Sequence, residues 1–421
     1  MVGVSWYKNE DTQLQLDSLH ELAALAATAG LHVAETTHQN LSEPNAATFI
    51  GKGKVEELRQ AALVKDVSTI IFDAELSPAQ QRNLENGFGE DIKVLDRTAL
   101  ILDIFAQHAH TREGQIQVEL AQYQYRLPRL TRMWVHLARQ AGGRAAGAIG
   151  GVGLRGPGET QLEVDRRRIK EKISRLTAEL EQVKHERRQH RERRRRSGFK
   201  VIALAGYTNA GKSSLLNAFC NAGVPVEDKL FATLDPTTRR VRLPHGRVVL
   251  ITDTVGFINK LPHHLVASFR ATFEGINEAD IVLHVADSSH PEVLTQVAVV
   301  EQTLGRQLPS AQPILLVWNK VDLLSAEAEA QMQRDGMIAV SAKTGKGVAG
   351  LLQHIEDLLN RDFHCIKMEL PYKHWELLHA IYEMGTVADV RHEDQGARVT
   401  AYVPEILLPL LKPFARSFRY P

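Results

Sequence analysis

The fold is decided by the stretch VIALAGYTNAGKS at residues 201–213, where an apolar run passes directly into a glycine-rich loop that ends in lysine and serine. This spacing is that of a phosphate-binding loop between a strand and a helix. Glycines let backbone N–H groups surround phosphates, and the positive end of the next helix points at them. We expect Lys212 to reach the β and γ phosphates and the Ser213 hydroxyl to ligate Mg²⁺. The predicted phosphate-binding residues are Gly206, Tyr207, Thr208, Asn209, Ala210, Gly211, Lys212 and Ser213.

A second motif, further along the chain, predicts which base is bound. It follows the apolar run PILLVW and consists of Asn319, Lys320, Val321 and Asp322. An aspartate placed here accepts hydrogen bonds from the N1–H and the exocyclic amine of guanine, which adenine lacks, and a wrong base would leave the carboxylate unpaired. Alone, this tetrapeptide would be an ordinary turn, but its order and spacing after the phosphate loop favour a guanine site. After the run IAV, a loop predicted to contact the guanine oxygen through its backbone comprises Ser341, Ala342 and Lys343.

Between these motifs lie the predicted metal and γ-phosphate residues. After the strand RVVLIT come Asp253, Thr254, Val255 and Gly256. We expect Asp253 to hold Mg²⁺ through water and the Gly256 N–H to contact the γ-phosphate. The segment 229–238 has the position of the first switch, and its nucleotide-binding candidates are Phe231, Ala232, Thr233, Leu234 and Asp235. Thr233 is our choice for a second hydroxyl on Mg²⁺, with Thr237 and Thr238 as alternatives. The predicted catalytic set is Lys212, Thr233, Asp253 and Gly256.

One side chain needed for fast hydrolysis is missing. Phe257 follows Gly256, where Ras-type enzymes place the glutamine that orients the attacking water. We therefore expect slow basal hydrolysis and an external activator. Asn209 matches GTPases that use K⁺ in place of an arginine finger, which makes stimulation by K⁺ a hypothesis.

The length of 421 residues predicts several domains, and 43% hydrophobic with 24% charged residues is typical of a globular protein. Alternating apolar runs and helical patterns predict an α/β fold. We expect a Ras-like P-loop domain with a six-stranded, mostly parallel sheet, an N-terminal α/β domain carrying a long helical hairpin, and a small C-terminal α+β domain. The predicted boundaries are 1–96 for the N-terminal domain, 97–198 for the helical arm, 199–362 for the Ras-like domain and 363–421 for the C-terminal domain.

Within the first two domains the pattern predicts particular elements. The run LHVAET at 31–36 reads as a strand, and Arg97 to about Gln124 reads as one helix, followed by a second helical stretch to about Ala141. Eight glycines between residues 142 and 158 predict a tip loop. Helix resumes from Glu159 to Arg196, so the two long helical parts suggest a hairpin.

The returning helix concentrates basic charge although the net charge of the chain is only +1. Residues 159–196 contain fourteen Lys or Arg against eight Asp or Glu. One interpretation is a solvated, salt-bridged face, and the other is a footprint for the phosphate backbone of RNA. The tip loop is either a flexible turn or a close approach to folded RNA. Our RNA-binding candidates are Arg144, Arg155, Arg193, Arg194, Arg195 and Arg196.

Composition also limits the cellular setting. Cys220 and Cys365 are the only cysteines, which does not suggest a disulfide framework. The N-terminal stretch has no apolar core of a signal peptide, and no run reaches the length of a membrane span. We expect a cytoplasmic protein without a membrane span, and a monomer.

Taken with these motifs, four longer stretches make the chain resemble the HflX GTPases, bacterial members of the Obg-HflX group. They are FIGKGKVEEL at 49–58, AQHAHTREGQIQVELAQ at 106–122, GVGLRGPGETQLEVDRRRI at 151–169 and FATLDPTTR at 231–239. The resemblance implies GTP hydrolysis to GDP with Mg²⁺, binding to the large (50S) ribosomal subunit and its rRNA, and splitting or rescue of stalled ribosomes under stress.

Other functions stay open at this point. Residues 51–54, Gly-Lys-Gly-Lys, lack the spacing of a phosphate loop and read first as a turn, but family members have been suggested to use ATP and remodel RNA through this domain. That alternative predicts ATP turnover that survives loss of Lys212. Further alternatives are an RNA-maturation or signalling GTPase and a pure interaction module that nucleotide only stabilises.

Overall fold

A computed structural model describes nine stretches of the chain, and their contacts form two compact units. The described residues are 1–6, 12–130, 157–196, 199–220, 230–231, 233–260, 275–307, 312–360 and 363–419, with side chains given for all but 5–6, 12–15, 157–162, 188, 190–196 and 417–419. The first unit contains residues 1–185 together with 229–234 and 258–270. The second contains residues 186–228, 235–257 and 271–421.

The first unit is built on a four-stranded sheet whose strands are all parallel, in the order β2-β1-β3-β4. Its strands are β1 Val2–Trp6, β2 Thr37–Leu41, β3 Thr69–Phe72 and β4 Lys93–Asp96. Its helices are α1 Thr12–Thr28, α2 Lys52–Val64, α3 Pro78–Phe88, α4 Arg97–His108, α5 Arg112–Arg126 and the start of α6 Pro157–Arg196. Alternation of apolar strands and helices places a core on the sheet, as expected for a βα pattern.

Two local predictions in this unit were wrong. The run at 31–36 is not a strand, and β2 instead uses the polar residues Thr37–Leu41, which pair in parallel with β1. The single helix expected from Arg97 to Gln124 is broken between α4 and α5, because the Thr111 side chain accepts a hydrogen bond from Gly114 N at 3.1 Å and starts a new helix. The stretch to Ala141 and the tip loop before Pro157 lie outside the described residues.

Helices α5 and α6 pack against each other, while the hairpin connection predicted between them lies outside the described residues. Ile116 and Leu120 of α5 form an apolar cluster with Leu176 and Leu180 of α6. These positions repeat at the helical spacing of four residues, so one stripe of each helix is buried. Helix α6 continues to Arg196 as predicted.

The second unit contains the six-stranded sheet that was predicted, in the order β10-β9-β8-β5-β7-β6. Strand β6 pairs antiparallel with β7, and the other pairs are parallel. The strands are β5 Val201–Gly206, β6 Thr238–Arg242, β7 Val248–Asp253, β8 Ile281–Asp287, β9 Ile314–Asn319 and β10 Ile338–Ala339. The helices are α7 Lys212–Cys220, α8 Val293–Gln307, α9 Ala326–Arg334 and α10 Val348–Asn360. The sequence motifs follow β5, β7, β9 and β10, at the edge where open parallel sheets bind ligands.

The C-terminal part of this unit is the small α+β domain that was expected. Its antiparallel sheet has the order β12-β13-β11-β14. The strands are β11 His364–Pro371, β12 Thr386–Glu393, β13 Gly396–Val403 and β14 Ala415–Arg419, with helices α11 Trp375–Met384 and α12 Leu408–Leu411. Alternate residues of β11 and β13 point into its core.

The predicted fold class is therefore confirmed, while the four domain boundaries stay predictions. Helix α6 passes from one compact unit to the other at residues 185–186. Among the described helices, none combines the length and apolar character needed to cross a bilayer.

Candidate nucleotide site

The phosphate loop after β5 has the backbone conformation that its glycines allow. Gly211 has φ of +88°, and a Cβ on it would lie 2.2 Å from Asn319 Nδ2. A Cβ on Gly206 would lie 2.2 Å from the carbonyl oxygen of Val285. Lys212 is 6% exposed and its Nζ donates to the carbonyl oxygens of Gly206 at 3.1 Å and Tyr207 at 2.8 Å. Lys212 therefore braces the loop through two backbone carbonyls. A side chain at position 206 would clash with backbone, and one at position 211 would displace the Asn319 amide.

The loop is fixed against the chain that follows β7. Thr208 N donates to the Phe257 carbonyl at 2.7 Å, and Phe257 N donates to the Gly206 carbonyl at 3.0 Å. A Cβ on Gly256 would come within 2.8 Å of Thr208 Cα, so glycine is required for this approach. The Thr254 hydroxyl donates to the Leu204 carbonyl at 2.6 Å. The expected γ-phosphate residue thus lies directly beside the phosphate loop.

Phe257 itself is 4% exposed. An apolar, buried ring has no group that orients a water molecule, in agreement with its interpretation from sequence.

Two oxygen donors meet where the metal is expected. Ser213 Oγ donates to Asp253 Oδ2 at 2.6 Å, and Asp253 is 2% exposed. A hydroxyl and a carboxylate are hard ligands that suit Mg²⁺, so these residues fit the ion that P-loop GTPases generally use. Of the alternatives to Thr233, the Thr238 hydroxyl is hydrogen-bonded to the Thr252 hydroxyl at 2.9 Å across the strand pair, whereas Thr237 is exposed.

The first-switch candidates are divided between the two units. Phe231, Thr233 and Leu234 group with the first unit, and Asp235 groups with the second. Ala232 lies outside the described residues. The role of Thr233 as a metal ligand therefore stays a prediction.

The base-recognition motif is organised by the side chain of Asn319, which is 1% exposed. Its Nδ2 donates to the Ala210 carbonyl at 2.9 Å, and its Oδ1 accepts from Ala342 N at 3.0 Å. One buried amide thus joins the phosphate loop to the loop after β10. Lys320 has φ of +64°, and its Nζ lies 2.7 Å from Asp287 Oδ2 at the end of β8.

Asp322 is held at the mouth of the site. Its Oδ1 accepts from the Ser341 hydroxyl at 2.6 Å, and the carboxylate is exposed. Ser341 is buried, and its hydroxyl also accepts from Thr344 N at 3.1 Å. A Cβ on Gly347 would lie 2.3 Å from the Ala339 carbonyl, which fixes the tight turn after Lys343. The Ser341 hydroxyl therefore orients the Asp322 carboxylate, which remains accessible to a base.

The sequence did not point to Asp287, Ser288 or His284 of β8 and the turn after it. The Ser288 hydroxyl donates to the Asn319 carbonyl at 2.6 Å, which supports the base motif from the neighbouring strand. A signal was available, because polar residues directly after an apolar strand in a parallel sheet lie at its ligand edge.

Burial changes two pKa values beside the phosphate loop. It lowers the pKa of Lys212 to about 8, with the Asp253 carboxylate opposing the shift. It also lowers the pKa of His284 to about 4, helped by the charge of Lys212. Negative phosphates would stabilise the charged lysine.

Four family models together match nearly the whole chain. Their descriptions are "GTP-binding GTPase N-terminal" at residues 16–106, "GTP-binding GTPase Middle Region" at 108–194, "50S ribosome-binding GTPase" at 201–320 and "HflX C-terminal domain" at 326–403. GTPase HflX from Lacrimispora saccharolytica is 43% identical over 420 residues, covering 99% of this chain and 96% of that protein. The chain belongs to the HflX family of GTPases. It binds GTP and is a GTPase.

One further curated relative and one solved structure are similar to this chain. GTPase HflX from Escherichia coli is 39% identical, covering 91% of this chain and 88% of that protein. A crystal structure of SsGBP with GDP is 24% identical and covers 85% of this chain and 97% of that one, with a TM-score of 0.47. Because that TM-score is low, the HflX assignment rests on the sequence matches.

Replacing Asp322 by Asn tests how this HflX protein selects guanine. The carboxamide presents a donor to the guanine amine, so we expect GDP affinity to fall on the order of a hundredfold, with a preference for xanthine diphosphate. Titration with fluorescent GDP and competition by XDP measure both. Undiminished GDP selectivity in D322N would contradict the assignment of Asp322 to the base.

His284 predicts a dependence of stability on pH. The unfolded chain binds a proton at the usual pKa of 6.5, whereas the folded site resists protonation until about 4, so the stabilisation is complete above pH 6.5 and is lost as pH falls. Urea unfolding at pH 7 and pH 5 should show wild type losing about 2 kcal/mol more than H284Q. Equal losses would show that His284 does not cause the dependence.

Proposed function

We propose that this GTPase binds the large ribosomal subunit and uses its GTP cycle to split or rescue stalled ribosomes under stress. The observation that carries the proposal is a GTP site in the same chain as a long helix with an exposed basic face. Two findings support the choice of partner. The chain is related to HflX proteins, and residues 201–320 match a model described as a 50S ribosome-binding GTPase.

Helix α6 has charge on the faces that its apolar stripe leaves exposed. While Leu176 and Leu180 pack on α5, exposed cations include Arg166, Arg167, Lys170 and Arg175. Part of the charge is used within the hairpin, where Lys172 pairs with Glu119 at 2.6 Å. The exposed remainder has the chemistry of a footprint for the phosphates of rRNA, whose binding weakens with salt.

The other RNA-binding candidates stay predictions. Arg144 and Arg155 lie outside the described residues, and α6 includes residues 193–196 without described side chains.

In the proposed cycle, GTP orders the segments around Thr233 and Gly256, and this state docks on the subunit. Lys212 and the Gly256 N–H bind the phosphates, Ser213 and Asp253 hold Mg²⁺, and Asp322 selects guanine. Because Phe257 is buried and apolar, the ribosome supplies the activating contact. K⁺ beside Asn209, which is exposed with φ of +60°, would supply additional positive charge.

GTP and ATP hydrolysis by wild type and K212A, with and without purified 50S subunits in potassium buffer, test this function. Large subunits should accelerate GTP turnover of wild type by at least about tenfold, because they complete the catalytic site, and should not accelerate K212A. Sodium in place of potassium tests the K⁺ hypothesis in the same assay, and S213A serves as a metal-site control.

Two outcomes would contradict the proposal. Subunits without effect on GTP turnover, while ATP turnover persists in K212A, would favour RNA remodelling by the N-terminal domain.

Light scattering by 70S ribosomes should fall when protein and a slowly hydrolysed GTP analogue are added. Activation by a small RNA or a subunit precursor, without loss of scattering, would favour a maturation GTPase.

A further inference from the structure

The first unit holds buried charges at the carboxyl edge of its parallel sheet. Asp73 directly follows β3, and Arg97 directly follows β4. In the order β2-β1-β3-β4, the connections turn to opposite sides of β1, which places a topological switch point between β1 and β3. Open parallel sheets bind their ligands at such a point. Here that edge is occupied by side chains of the chain itself.

Asp73 is the centre of these charges. Its Oδ1 accepts from Arg97 Nη1 at 2.6 Å, and its Oδ2 accepts from the Ser18 hydroxyl at 2.6 Å and from Lys260 Nζ at 2.8 Å. Arg97 also pairs with Glu21. Two cations and two carboxylates therefore balance, and the charge of Lys260 is part of that balance.

A second contact joins helix α4, which begins at Arg97, to a segment that is distant in sequence. The ring of Phe231 meets the ring of Phe105 edge to face, with centroids 4.7 Å apart, and both side chains are buried. Phe105 lies on α4, the helix that begins at Arg97. Arg97, which pairs with Asp73, and Phe105 are therefore separated by about 12 Å along one helix.

Phe231 and Lys260, which contact Phe105 and Asp73, flank the predicted γ-phosphate residues Thr233 and Gly256. Phe231 precedes Thr233 by two residues, and Lys260 follows Gly256 by four. The segments 229–234 and 258–270 belong to the same compact unit as residues 1–185, whereas the strands of the GTPase sheet belong to the second unit. Since a residue spans at most about 3.6 Å, anchoring Phe231 limits how far Thr233 can move.

The backbone of both partners is unusual. Phe231 has φ of +57° and Lys260 has φ of +55°, a region that side chains other than glycine rarely adopt. At Lys260 the backbone N–H also donates to Asn259 Oδ1 at 2.9 Å, and the contacts of Phe231 and Lys260 with the rest of the first unit add to the interactions that support these conformations.

We propose that Phe105 and Asp73 are positioning residues for GTP hydrolysis, which hold the segments beside Thr233 and Gly256 in the conformation that receives the γ-phosphate. The inference rests on the proposed roles of Thr233 and Gly256. Part of the cost of ordering these segments is then met before GTP binds. GDP lacks the γ-phosphate, so its binding does not draw on this ordering.

The variants K260M and F105L test the proposal in the full-length protein. K260M keeps the aliphatic stem and leaves Asp73 paired with Arg97, and the Lys260 side chain is 34% exposed, so the fold should survive. Each variant should lose at least about fivefold in affinity for a non-hydrolysable GTP analogue and in kcat, with GDP affinity within about twofold of wild type. K260R, which keeps the charge, should restore both.

Matched controls separate positioning from general stability. K65M removes an ion pair of 3.0 Å with Glu35 in the same unit, and F88L replaces another buried aromatic ring of this unit by a smaller apolar side chain. Both should behave as wild type. Equal loss of GDP and GTP-analogue affinity in K260M or F105L would overturn positioning, as would unchanged GTP-analogue affinity and kcat.

T233A distinguishes the two possible failures. If T233A abolishes the preference for the GTP analogue over GDP while K260M and F105L keep it, the assignment of Thr233 to the γ-phosphate stands and the positioning inference is overturned. If T233A also keeps the preference, the assignment of Thr233 fails and the inference fails with it.

Discussion

The nucleotide site depends on one buried amide, the side chain of Asn319. It donates to the phosphate loop at Ala210 and accepts from the base loop at Ala342. Asn319 is buried at the end of β9, where an unmade hydrogen bond is costly, so the two loops share one geometry. Gly211 follows from the same constraint, because any side chain there would occupy the space of the amide. The predicted phosphate-binding and guanine-binding loops are thus joined in one structural unit.

The two parallel sheets use the same edge in opposite ways. In the GTPase sheet, Gly206, Gly211 and Gly256 allow close packing around the backbone at the ends of the strands, where phosphates are expected. In the N-terminal sheet, the corresponding edge carries Asp73 and Arg97, whose charges are balanced by Glu21 and Lys260. These side chains pair mainly with one another, and the Arg97 Nε is the buried donor among them that has no partner within the described part of the chain.

Sequence reasoning succeeded where a chemical function fixes both residue type and spacing. The GTPase family and the six-stranded, mostly parallel sheet followed from such patterns, while the roles of the phosphate-loop residues and of Asn319 to Asp322 stay predictions. It failed for β2, because polar Thr37–Leu41 becomes a strand only by pairing with β1. It also missed the helix break at Thr111 and the support from Ser288, since both depend on hydrogen bonds made only in the folded chain. The contacts of Phe231 and Lys260 join residues far apart in sequence and carry no local signal.

The Asn319 side chain holds the phosphate and base loops in one geometry. Titration of wild type and N319A with fluorescent GDP, with thermal unfolding measured in the absence of nucleotide, is the sharpest test of this constraint. We expect N319A to fold but to lose GDP affinity by at least about a hundredfold, because both loops are released together. GDP affinity close to that of wild type in a folded N319A protein would contradict it.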